Sequence, residues 1–127
     1  MPTVTYTLTN AGQNMFRDAS QGAASCKVTY FAMGTGTNTP TTSDTKLQQE
    51  VFRKKIASYT NGTNPGEIIF SAYVAPGDAV GVVIGEVAWF GGNANGTANT
   101  GILLARGLYS HTKTNLESIP FSLDATI

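Results

Sequence analysis

The chain carries one cysteine, one histidine and one tryptophan in 127 residues, and each scarcity removes a class of function. A lone Cys26 makes no intrachain disulfide and stands in no metal-ligand spacing. His111 is the only imidazole, and neither it nor Cys26 sits in a catalytic signature; Cys26 falls in an apolar run where an inert buried thiol is the ordinary outcome. Charge is scarce too, at 13% of residues with eight basic against eight acidic. Neutralising phosphates needs a basic excess, so nucleic acid is not an expected partner. No run approaches the ~18 apolar residues of a membrane span, and "MPTVTYTLTN" has neither the basic start nor the apolar core of a secretion signal. The expectations are no membrane, no metal or cofactor, no enzymatic activity, and synthesis in the cytoplasm.

What is present is glycine, threonine and asparagine, concentrated in two long stretches around Gly34 to Ser43 and Gly91 to Gly101. "GTGTNTPTTSDT" has no apolar residue, and it lacks the Lys-Ser/Thr pair and third glycine of a phosphate-cradling loop. Long loops in small domains carry contacts when they are ordered, so Thr35, Thr37 and Asn38 in the first, and Asn93 and Asn95 in the second, are candidate interface residues. The "NGT" triplets at Asn61 and Asn95 read as turns, since no secretion signal accompanies them.

Periodicity between the loops is that of strands. "VTYTLTN" alternates Val4, Tyr6 and Leu8 against threonines; Asn10 is expected to cap a short helix whose Met15 and Phe16 face a sheet and which ends near Gly22. Cys26 to Gly34, a strand from Phe52 through Tyr59, Glu67 to Ala75, Val82 to Phe90, "ILLARGLYS" and "SIPFSLDATI" complete about seven strands. Asp44 is expected to cap a second short helix carrying Leu47 and Val51 at i, i+4. These elements predict one mainly β domain over residues 1–127, an antiparallel β-sandwich-like α+β fold with one or two short helices.

Four of the eight basic residues, Lys46, Arg53, Lys54 and Lys55, fall within ten positions. Glu86 stands inside the most apolar run, where a carboxylate without a partner is costly, and an arginine offers it a bidentate contact. Arg53 and Arg106 are the candidates, with Glu50 as a further member of a structural brace; Lys54 and Lys55 are left for a solvated rim. Glu50 and Glu86 as a glycosidase pair lack the aromatic cluster such a site needs.

Several motifs, in order, resemble the phage tail-collar fibre family, whose characteristic region is the N-terminal attachment domain of tail fibres. They are "TNAG" at Thr9 to Gly12, the "GTG" loop, Leu-x-x-Glu-Val-x-Arg at Leu47 to Arg53, "GEVAWFGG", and "LLARGLYSHTK" ending on Lys113. The resemblance implies a virion structural module that oligomerises as a trimer or higher ring and docks on other tail, fibre or baseplate proteins. Under it Lys54, Lys55 and Lys113 belong near a subunit boundary. A chain that stops at Ile127 would then be an adaptor, baseplate or collar component rather than a long fibre. Two other roles suit a small β domain: a head-decoration or neck-spike protein, and a carbohydrate-binding receptor module in which Trp89, Tyr109 or Phe31 lines a groove.

Overall fold

A computed structural model describes residues 3–22 and 25–126. In chain order these form β1 (Tyr6–Leu8), α1 (Asn10–Ser20), β2 (Val28–Gly34), β3 (Glu50–Lys55), β4 (Ser58–Asn61), β5 (Glu67–Val74), β6 (Val83–Gly91), β7 (Ile102–Thr112) and β8 (Ile119–Thr126). The strands make two antiparallel sheets, ordered β1-β7-β6-β2-β3 and β4-β5-β8. The last residue of the predicted final strand, Ile127, lies outside the described residues. No helix among the described residues is long and apolar enough to cross a membrane.

The core lies between the sheets. β8 alternates as its sequence does, with Ile119, Phe121, Leu123 and Ala125 buried and Asp124 and Thr126 outside. Phe31 of β2 bridges the layers: its ring stacks on Phe121 at 4.8 Å and meets Trp89 edge-on at 4.9 Å. Trp89 and Phe31 are fully buried, which removes them from any sugar-binding groove.

β6 is buried on both faces, as its unbroken apolar run requires. One face meets the second sheet. On the other, Ala32, Ala88, Phe90 and Leu103 are covered by Leu47 and Ala94, contributed by the two long polar loops. The domain therefore has three layers: a three-stranded sheet, a five-stranded sheet, and loops.

Three local expectations are corrected by tertiary contacts. The predicted strand from Phe52 to Tyr59 divides into β3 and β4, which makes eight strands among the described residues; Ile56 N–H bonds to Thr29 O at 3.0 Å and Ala57 N–H to Ser71 O at 2.8 Å, so adjacent residues join opposite sheets. The helix expected after Asp44 is absent, because the Gln48 and Gln49 N–H groups donate to the Glu86 carboxylate and Leu47 plugs the outer face. The cap of α1 is Thr9, not Asn10. Its Oγ1 accepts from Gly12 N–H at 3.0 Å and donates to Leu103 O, tying the helix start to β7.

Candidate functional site

Glu86 anchors the first long loop. It is fully buried on β6, and each of its oxygens accepts at least two hydrogen bonds. Oε2 takes Gly36 N–H at 2.9 Å and Gln49 N–H at 2.8 Å; Oε1 takes Gln48 N–H and Arg106 Nε, both at 2.9 Å. The carboxylate thus gathers both ends of the loop between β2 and β3. A β-carbon on Gly36 would sit 2.5 Å from Glu86 Oε2, and one on Gly85 would sit 2.5 Å from Gly36 O, so the glycines of "GTG" and "GEV" permit the close approach.

Arg106, on the neighbouring β7 and 1% exposed, completes this site. Besides Glu86 it reaches Asp44 Oδ2 at 3.2 Å through Nη1 and Asn38 Oδ1 at 2.5 Å through Nη2. One guanidinium therefore fixes the sheet carboxylate and two loop residues, a use of its planar fork that lysine cannot reproduce.

A second ion pair holds the second loop. Arg53 and Glu50 are three apart on β3, a spacing that places residues on opposite faces of a regular strand. A register shift opposite Met33 and Gly34 restores them to one face. Arg53 then binds Glu50 through Nε at 2.8 Å and Nη2 at 3.0 Å, with side-chain exposures of 3% and 0%. Its Nη1 donates to Asn95 O at 3.0 Å and to Thr100 O and Oγ1, both at 2.9 Å. Asn99 N–H donates to Glu50 Oε1 at 3.1 Å, and the guanidinium lies 4.4 Å from the centre of the Phe90 ring.

The brace residues thus form two separate pairs, Glu86 with Arg106 and Glu50 with Arg53, each tying one polar loop to the same sheet. Sequence reasoning read Asp44 as a helix cap and missed its bond to Arg106, and it missed Gln48 and Thr100 altogether. The signal available was the Gly-x-Gly and Gly-Glu pairs, which mark backbone approaching closely.

Among the interface candidates, Thr37, Asn38, Asn93 and Asn95 are exposed on the loops, and Thr35 is half-buried with its hydroxyl 3.0 Å from Gln49 Oε1. Lys55 is exposed. Lys54 instead pairs with Asp78 at 2.7 Å, and that ammonium, aided by Ala75 N–H, holds the Asp78 carboxyl below its ordinary value. Lys113 is 1% exposed and turned inward, donating to Pro76 O at 3.1 Å and Thr114 O at 2.6 Å, so its charge is not presented to a partner. His111 pairs with Glu117 at 2.5 Å, while Cys26 lines an apolar hollow with Phe16, Val28, Tyr59 and Phe70.

Burial acts to raise the Asp44 carboxyl, but hydrogen bonds from Thr41 N–H and hydroxyl and the Arg106 charge outweigh it and leave the group below its ordinary value. A depressed folded-state pKa contributes stability that is present above the unfolded value, ~3.9, and is lost as pH falls through the folded value. Urea midpoints measured against pH are therefore expected to show an acid loss in the native chain that is smaller in Asp44→Asn. Parallel curves for the two proteins would show that Asp44 adds nothing to acid sensitivity.

A family model described as phage tail-collar fibre protein, N-terminal, matches residues 1–97. That span contains the first loop, Glu50, Arg53, Glu86 and most of the second loop; Arg106 lies beyond it. No curated protein and no solved structure matches the chain. The chain belongs to the phage tail-collar fibre protein family, and is accordingly a structural component of a phage tail fibre and of the virion.

Proposed function

We propose that residues 1–127 act as one docking domain that oligomerises, as a trimer or higher ring, and attaches or adapts a tail fibre to neighbouring tail, collar or baseplate proteins. The observation that carries this reading is the loop layer, in which two long polar loops are held on one sheet face by two buried ion pairs. A surface already ordered before contact loses less conformational entropy on binding, so a polar patch can be soluble beforehand and still bind specifically. Glu50, Arg53, Glu86 and Arg106 serve as the brace, and Thr35, Thr37, Asn38, Asn93 and Asn95 supply contacts, with Lys55 at the rim.

Two measurements test this together. Sedimentation of the purified chain is expected to give a trimer or larger ring, and gold label on the protein in intact particles is expected at the tail tip or collar. Thr37→Arg with Asn93→Arg, on exposed loop positions, is expected to leave the fold intact and abolish incorporation. Label over the head, or normal incorporation of the double variant, would overturn the reading.

A further inference from the structure

The second loop holds a reactive dipeptide. We propose that Asn95–Gly96 is a site of spontaneous succinimide formation, through which this loop converts with age from an asparagine to an aspartyl or isoaspartyl linkage. The reaction needs a nucleophilic backbone nitrogen, an electrophilic side-chain amide, and no steric obstacle between them. All three are present here.

Gly96 N–H makes no hydrogen bond among the described residues, and a β-carbon on Gly96 would meet nothing within 4 Å, so the proton that must leave has no acceptor to hold it and no wall shields the nitrogen. The peptide unit that carries this nitrogen ends in Asn95 O, which accepts from the Arg53 guanidinium at 3.0 Å. When Gly96 N loses its proton, the negative charge spreads onto that oxygen, where the guanidinium stabilises it. On the electrophile, Asn95 Oδ1 accepts from Thr97 N–H at 2.8 Å, while the single Thr100 hydroxyl proton goes to Thr97 O at 2.7 Å. The Thr97 N–H polarises the amide carbonyl and favours the charge that builds on Oδ1 as the nitrogen attacks.

The step balances without any oxidant or enzyme. Hydroxide removes the Gly96 proton, the nitrogen bonds to Asn95 Cγ, the Cγ–Nδ2 bond breaks, and ammonia leaves with a proton from water. Water then opens the ring at either carbonyl, leaving an aspartyl link or an isoaspartyl link whose backbone is one methylene longer. The product places a carboxylate on a loop face of asparagines and threonines, and the longer backbone displaces the carbonyl that Arg53 holds.

The chain carries its own control. Asn61–Gly62 is the same dipeptide, but it ends β4, with Asn61 paired to Ile68 and Gly62 N–H bonded to Glu67 O at 2.9 Å. Ring closure there must first break that bond. Incubating the full chain at mildly alkaline pH and mapping its peptides by mass spectrometry, with detection of isoaspartate, is expected to show conversion at Asn95 at least roughly fivefold faster than at Asn61, the ratio one ordinary hydrogen bond supplies. In urea the two sites are expected to react alike. Gly96→Ala, which the open space accommodates, is expected to suppress conversion, and Arg53→Ala to slow it by roughly tenfold even though the loop is freer. Equal rates at Asn61 and Asn95 in the folded protein, or faster conversion in Arg53→Ala, would overturn the assignment.

Discussion

Glu86→Ala is expected to lower the stability of this domain by about 3–5 kcal/mol, the loss that follows when one member of a buried ion pair is removed and the other is left in place. The substitution leaves Arg106, 1% exposed, with only the more distant Asp44 carboxylate as its counter-charge, and orphans the N–H groups of Gly36, Gln48 and Gln49, which donate to the Glu86 carboxylate at 2.8–2.9 Å. For a domain of this size that corresponds to a fall in melting temperature of about 10–20 °C. Glu86→Gln keeps the shape but turns a donor toward a cluster of donors, so an intermediate loss is expected. Because Glu86 and Arg106 act on each other, the double variant Glu86→Ala with Arg106→Ala should cost less than the sum of the two single variants. Additive losses would show that the two groups contribute independently and that the loop does not depend on their pairing.

Arg53→Ala carries the second large effect, and its signature is local. The guanidinium makes the contacts that hold Asn95 and Thr100, and its loss leaves Glu50, with a side chain 0% exposed, without its cation. A global loss of about 3 kcal/mol or more is expected. Hydrogen exchange should then rise most at Asn95 and Asn99, whose N–H groups now donate to Thr100 Oγ1 and Glu50 Oε1, while the Gly36 and Gln49 amides on the other anchor stay protected. Arg53→Lys restores a positive charge but not the fork that grips Glu50 and both loop carbonyls at once, so it should recover only part of the protection. Uniform acceleration across both loops would show that the anchors are one cooperative unit rather than two.

Both variants probe one design feature. Loops that bury little beyond Leu47 and Ala94 gain little from apolar burial, so most of their order has to come from polar contacts with buried, fully bonded partners. The two arginine–glutamate pairs supply those contacts, and the outward side of each loop is left to threonine and asparagine. Such a surface is ordered before any contact, because the entropy of ordering it is already lost in folding.

Much of this was legible in the sequence. The alternation in "SIPFSLDATI" marks a strand buried on one face and the unbroken run "VVIGEVAWF" a central one, since side chains project with period two and a strand covered on both faces needs apolar residues on both. A glutamate within that central run required a cationic partner, because an unpaired buried carboxylate is too costly to keep. The motifs running from "TNAG" to "GEVAWFGG" carried the family. Tertiary structure decided the rest. Residues 44–51 have helical spacing, yet Gln48 and Gln49 give their N–H groups to a carboxylate 38 and 37 positions further along the chain, a competitor that no local pattern displays. Ile56 and Ala57 read as strand interior, but their N–H groups go to different sheets, and only the packing of the sheets sets that corner. Which arginine meets which glutamate was likewise undetermined by spacing: the neighbouring register of β6 and β7 gave Arg106 to Glu86, and a single register shift in β3 turned Arg53 and Glu50 to the same face.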